Sequence, residues 1–176
     1  MKDKVLSLEE LSERCQALRE QGRRVVLTNG CFDLLHVGHL RYLQQARELG
    51  DALIVALNGD DSVRALKGLG RPIVPAMERA EVLAALACVD YVTTFDDQTA
   101  EQVVAALRPD IYVKGGDYTA RRNSIPEARI VTEYGGMVFF LDLQPGASTA
   151  GIIETILRRH REGLVAPAAA AATRKR

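Results

Sequence analysis

Between residues 24 and 143 the chain alternates short, unbroken apolar runs with stretches whose apolar residues return every three or four positions. The runs are RVVLT (24–28), ALIVAL (52–57), DYVTTF (90–95), DIYVK (110–114) and MVFFLDL (137–143), and helical spacing appears near 38–49, 76–87, 99–107 and 148–160. A strand with one face in water alternates apolar and polar residues, whereas a strand covered on both faces is apolar throughout. The runs here are of the second kind. They predict an α/β fold: a Rossmann-like, doubly wound sheet of about five parallel strands with helices on both faces. Crossovers in such a sheet are right-handed, and ligands gather at the carboxyl ends of its strands.

Ahead of the first run, LSLEELSERCQALREQG predicts an amphipathic helix opened by Ser7, with Glu10 as its capping-box partner, and closed by Gly22. This helix, within residues 1–22, is expected against the sheet edge or a partner subunit, followed by one α/β domain over 23–162. Residues 163–176 include VAPAAAAATRKR, which has no amphipathic pattern and is expected to be a disordered tail. No internal repeat is present.

Composition narrows the partners. The chain has 176 residues, 47% hydrophobic and 26% charged, enough for one domain with a real core. Lys plus Arg equals Asp plus Glu at 23 each, so no global field points to nucleic acid or an anionic membrane, and any anion binding must be local. Cys15, Cys31 and Cys88 are odd in number, scattered and without a CxxC, which argues against a disulfide framework or structural zinc and suits a reducing cytoplasm. No leader-like segment and no apolar run of ~20 residues occurs, so neither secretion nor membrane spanning is expected.

The polar groups concentrate where the first strand meets the next helix, in TNGCFDLLHVGH (28–39). A dinucleotide-binding protein would carry GxGxxG at this place; its absence removes the main support for hydride transfer. Gly30 ends the strand and Gly38 opens the helix, so a phosphate can approach the backbone at both points. His36 in the loop and His39 in the first turn can both donate hydrogen bonds to one phosphoryl group. Two histidines alone do not make a metal site, and His160 lies in a distant helix, so no protein-held metal is expected. LKGLGRP makes Lys67 and Arg71 candidate phosphate clamps, with Arg79 following on the next predicted helix. Lys114, Gly115 and Asp117 follow the fourth strand, where the backbone can approach a nucleotide and the carboxylate can bond a ribose hydroxyl. Ser148 and Thr149 open the last helix, where hydroxyls ordinarily serve as caps. Asp33 is the one acid in the opening motif. Beside a triphosphate its charge is unfavourable, so it is expected either to bond acceptor hydroxyls or to accept backbone N–H groups of the turn.

GCFDLLHVGH resembles the HxGH signature of the nucleotidyltransferase superfamily, which includes cytidylyltransferases and, more distantly, class I aminoacyl-tRNA synthetases. LTNGCFDLLHVGHLRYL, ALNGDDSVRALKG, GRPIVPAMERAEVLAALACVDYV, RPDIYVKGGDY and GASTAGIIETI are together similar to the heptose 1-phosphate adenylyltransferases of the ADP-heptose pathway, in spacing as well as content. The resemblance implies that residues 23–162 are a nucleotidyltransferase domain, here in its stand-alone version, joining ATP and a sugar 1-phosphate with Mg²⁺ on the triphosphate. It implies catalytic roles for His36, His39 and Lys67, and acceptor contacts for Asp33 and Arg79. It further implies nucleotide contacts from Asn29, Gly30, Cys31, Phe32, Gly38, Asn58 and Arg71, and from Lys114, Gly115, Asp117, Ser148 and Thr149. Relatives of this kind are commonly homo-oligomers. Departures from the family pattern occur at Leu57-Asn58-Gly59-Asp60, at Ala150 after Ser148-Thr149, and at ARRNSIPEA after GGDY. They bear on the acceptor and the base rather than on the reaction.

The reaction also follows from elementary chemistry. A sugar 1-phosphate is largely dianionic at neutral pH and needs no general base before attacking an α-phosphorus. The site has to supply in-line positioning and charge neutralisation. The alternatives are a cytidylyltransferase acting on a polyol or amino-alcohol phosphate, which ATP against CTP would separate, and a non-catalytic nucleotide sensor, which would release no pyrophosphate. A tRNA synthetase is not supported: there is no room for an anticodon-binding domain and no KMSKS-like loop.

Overall fold

The computed structural model describes residues 2–116, 125–142 and 146–165. Five strands form one sheet: β1 (Val25–Gly30), β2 (Ala52–Asn58), β3 (Tyr91–Phe95), β4 (Ile111–Gly115) and β5 (Met137–Leu141). All pairings are parallel and the spatial order is β3-β2-β1-β4-β5. The helices are α1 (Leu8–Glu20), α2 (Val37–Glu48), α3 (Asp60–Lys67), α4 (Ala76–Ala84), α5 (Glu101–Leu107), α6 (Pro126–Glu133) and α7 (Thr149–Arg161). The chain steps outward from β1 to β2 and β3, then returns to β4 on the other side. The switch point is therefore between β1 and β4, where a parallel sheet opens a crevice at its carboxyl edge.

Alternate residues of the central strands enter different cores. Val25 and Leu27 of β1, with Ile54 of β2, join α1, α5 and α6 on one face. Val26, Leu53, Val55 and Leu57 join α2 and α4 on the other. Every residue of β2 is buried, which is why it reads as a continuous apolar run; the edge strand β5 departs from that expectation, leaving Met137 and Phe139 exposed although its sequence is equally apolar.

The amphipathic helix α1 begins as expected, with Ser7 accepting from the Glu10 amide and the Glu10 carboxylate accepting from the Ser7 amide. Its position meets expectation only in part. The segment entering it lies along the edge strand β3, where the Leu6 amide donates to the Val92 carbonyl at 2.9 Å, but Leu11, Cys15 and Leu18 are buried in the same core as β1, β2 and α5, so α1 itself covers a sheet face. Two elements were not expected, α3 and α6. Each is only eight residues long, too short for periodicity to stand out, and α6 opens with Pro126. Most of the proposed tail, residues 166–176, lies outside the described residues. Among those described, no helix is long and apolar enough to cross a membrane.

Candidate active site

β1 ends at Gly30, and the chain turns back at once: Phe32 has a φ of 40°. A positive φ is costly for a bulky residue, and such strain is kept where a loop must be held in one shape. The turn lays the Phe32 ring over Gly30, where a Cβ would lie 3.0 Å from the ring. The same ring stands 5.2 Å from that of His39, tilted by 57°. His36 caps α2 by its backbone alone, leaving its imidazole for other contacts. One turn brings His39 beneath it, and the two rings stack at 3.8 Å with 21° between planes. Gly38 makes this possible, because a Cβ there would stand 3.0 Å from the His36 ring and 3.1 Å from the Cβ of Ala147.

Nδ1 of both histidines is buried without a hydrogen-bond partner. Burial lowers the pKa of His36, and burial together with His36 lowers that of His39 to about 4. Both rings are thus neutral at pH 7, each with one N–H to donate. Two stacked imidazoles resist charging in isolation, yet an arriving polyphosphate would favour their protonated forms.

Thr149, the first residue of α7, donates through Oγ1 to the carbonyl of Leu34 at 3.2 Å, which brings the N-terminus of α7 beside that of α2. Ser148 caps α7, accepting from the Gly151 amide at 3.0 Å. At the strand ends, Asn29 Oδ1 accepts from Tyr112 Oη at 2.6 Å and from Lys114 Nζ at 2.7 Å. Burial lowers the Lys114 pKa, and the charge of Glu127 opposes that shift. Behind them Tyr42 of α2 ties the switch point together. Its hydroxyl donates to the Val113 carbonyl at 3.0 Å and lies 2.6 Å from Thr28 Oγ1.

These groups surround a cleft of about 570 Å³ at the carboxyl edge of the sheet. Asn29, Gly30, Cys31, Phe32, Asp33 and His39 line it from the opening motif, as do Asn58, Lys67, Arg71, Lys114, Gly115 and Thr149 from four later segments. Most of the residues singled out in the sequence therefore converge. His36 and Gly38 stand behind His39, and Ser148 acts as a cap. Asp117 lies outside the described residues.

Two side chains expected at an acceptor are otherwise engaged. Asp33, whose side chain is fully buried, accepts from the amides of Ile73 at 2.8 Å and Val74 at 3.0 Å, and from Arg71 Nε. These bonds hold its pKa below the usual carboxylate value against the opposing effect of burial. Its backbone partners belong to a loop forty residues away, not to its own turn. Arg79 does not line the cleft and corrects the expectation for it. Its buried guanidinium donates to the carbonyls of Val74 at 2.8 Å, Cys31 at 2.5 Å and Asn58 at 2.9 Å, and to Asp60 at 2.8 Å. It ties the ends of β1 and β2 to the loop before α4.

Sequence reasoning missed Gln98 and Glu127 in the cleft wall, as well as Tyr42, Leu66 and Ala150. Tyr42, Leu66, Glu127 and Ala150 fall inside segments quoted above, but nothing in their chemistry singled them out, and Gln98 falls outside every quoted segment. Gln98 lies in the loop before α5, and Glu127 in the first turn of the unexpected helix α6. Cys15, Cys31 and Cys88 are free thiols.

Known proteins share this arrangement of sequence and fold. The family model described as cytidylyltransferase-like matches residues 27–154. The bifunctional protein HldE of Syntrophotalea carbinolica is 51% identical over 160 residues, covering 91% of this chain and 32% of that protein. HldE of Methylococcus capsulatus is 53% identical over 151 residues, covering 86% and 32%. The chain thus spans about a third of the length of these curated relatives. Among solved structures, the lipopolysaccharide core biosynthesis protein from Thermoplasma volcanium GSS1 superposes with a TM-score of 0.56 at 28% identity, covering 70% of this chain and 98% of that one.

Proposed function

This chain belongs to the cytidylyltransferase-like family of nucleotidyltransferases, and on that premise we propose that it transfers AMP from ATP to a heptose 1-phosphate, giving ADP-heptose and pyrophosphate. An oxygen of the sugar phosphate attacks the α-phosphorus of ATP; that P–O bond forms as the α–β bridging bond breaks, and pyrophosphate leaves with the displaced electron pair. The observation that carries this reading is the stacked pair His36 and His39 at the N-terminus of α2, with the N-terminus of α7 alongside. Such donors serve a reaction in which charge spreads over non-bridging phosphate oxygens and no base is required.

In this reading the N–H groups opening α2 and α7 and the two imidazoles receive the triphosphate, while Lys67 and Arg71 neutralise the developing charge. Lys114 and Gly115 support the nucleoside at the switch point. Asp33 acts through the loop it holds, setting where Arg71 stands. Among the described residues no three His, Cys, Asp or Glu side chains converge on a metal. A Mg²⁺ arriving with ATP would be held by phosphate oxygens and water and would lower the charge of the leaving pyrophosphate. Similarity to HldE and to a lipopolysaccharide core biosynthesis protein supports the sugar-nucleotide direction. The reaction is assigned to the cytoplasm, where its nucleotide is available.

The test is pyrophosphate release measured with ATP and CTP against heptose and hexose 1-phosphates and a polyol phosphate. Turnover with ATP and a heptose 1-phosphate is expected. Preference for CTP with the polyol phosphate would replace this reading by the cytidylyltransferase one.

A further inference from the structure

The cleft has two walls on opposite faces of the sheet, and they differ in chemistry. One wall is built from α2 and the start of α7 and carries helix N-termini and imidazoles, all suited to phosphate. The other comes from the side occupied by α5 and α6 and carries Gln98 and Glu127. Glu127 is 4% exposed, and its Oε1 accepts from the Ala100 amide at 2.9 Å. That bond fixes the carboxyl group beside the loop that carries Gln98. Lys114, which lines the same cleft, feels the Glu127 charge and offsets it in part, yet a carboxylate is out of place in a wall meant for phosphate, because at close range it repels the ligand. It suits hydroxyl groups, since a carboxylate only accepts and a polyol has donors to offer.

The in-line geometry of phosphoryl transfer decides which hydroxyls these are. Attacking and leaving oxygens lie on opposite sides of the phosphorus. With the leaving pyrophosphate on the α2 and α7 wall, the acceptor approaches from the facing wall. We propose that Glu127, with Gln98 beside it, reads the hydroxyl groups of the acceptor sugar and is a specificity-determining residue of this site.

This inference rests on the sugar 1-phosphate reading above, and its test separates the two. Glu127→Gln keeps an oxygen for the Ala100 amide but loses the charge, so the loop contact is retained. Steady-state pyrophosphate release is measured for wild type and variant, varying ATP and the sugar 1-phosphate in turn, with a set of monodeoxy sugar 1-phosphates as further acceptors. The KM for the sugar phosphate is expected to rise about ten- to a hundredfold, the range for a hydrogen bond to a charged group. The KM for ATP should stay within about twofold of wild type. One deoxy sugar should discriminate between wild type and variant much less than its parent, marking the hydroxyl that is read. Gln98→Ala should raise the same KM more modestly.

A rise in the KM for ATP alone would place Glu127 at the nucleotide ribose and overturn the proposal. A lowered melting temperature with unchanged sugar phosphate saturation would make Glu127 a loop anchor only, and would overturn it equally. If the wild-type enzyme uses no sugar 1-phosphate at all, the underlying reading fails and this one with it.

Discussion

At the residue scale, the histidines and Asp33 have opposite relations to the fold. His36 and His39 make no hydrogen bond through Nδ1 and stack chiefly on each other, so replacing either with Ala should leave a folded protein. Turnover should fall by roughly a hundred- to a thousandfold, the usual effect of losing one transition-state donor, as checked by pyrophosphate release beside a melting curve. Their depressed pKa values also carry a stability signature. A histidine held neutral in the fold favours the folded state fully above its unfolded pKa near 6.5, and that contribution is lost as pH falls from there toward about 4. The melting temperature should drop across this window, and His39→Gln should flatten the decline. Asp33 titrates lower: its contribution persists above its ordinary value of 3.8 and is lost as pH falls below it. Because Asp33 holds two amides and Arg71, Asp33→Ala should cost about 1–3 kcal/mol from the unsatisfied donors, read from denaturant unfolding. It should also lower turnover by freeing Arg71. A variant of wild-type stability would show that the loop stands without this carboxylate.

At the element scale, the site depends on how closely three elements meet. The N-terminus of α2 and the residue pair leading into α7 touch at Gly38, which lacks a Cβ where the His36 ring and Ala147 press against it, and the Phe32 turn after β1 packs on the His39 ring beside them. Gly38→Ala is expected to push the His36 ring or α7 aside by a few tenths of an ångström. That shift should reduce kcat by at least tenfold with a small change in melting temperature, since misplacing catalytic groups by up to an ångström can cost about a hundredfold. Equal kcat in wild type and variant would show that the ring pair tolerates displacement. The helices differ in how plainly the chain announces them. α1 has its capping box and three turns of apolar spacing, and is readable from its residues. α3 and α6 are two turns each, and GDDSVRALKG reads equally well as a loop; they are helices because the sheet leaves them a crossover to make.

At the scale of the whole molecule, α1 is part of the domain and not an appendage to it. Leu11, Cys15 and Leu18 fill one face of the sheet, in one core with Val25 and Leu27 of β1 and Leu107 of α5. Removing residues 1–22 exposes that face. At about 1.5–3 kcal/mol for each buried aliphatic side chain, the loss is comparable to the whole stability of a domain of this size. The truncated chain should fail to fold, visible as loss of a cooperative thermal transition. A stable fragment would restore the boundary at residue 22. Arg79 works at the same scale, joining the ends of two strands and a loop, and its replacement by Met should destabilise by about 1–3 kcal/mol, read from denaturant unfolding, because the carbonyls of Val74, Cys31 and Asn58 lose their donor.

The sequence by itself determined what repeats or is local: five strands from their apolar runs, the opening of α1 from Ser7 and Glu10, and the gathering of glycines and histidines at the HVGH junction. These properties depend on neighbours within a few residues, which a linear pattern records. The tertiary structure alone decided the strand order and hence the switch point, the covering of a sheet face by α1, and the partners of Asp33 and Arg79. It also decided the entry of Gln98 and Glu127 into the cleft. Each of these depends on residues dozens of positions apart meeting at one sheet edge. A charged side chain reads the same in sequence whether it meets a ligand or another part of its own chain, and only the packing that brings the loops together distinguishes the two.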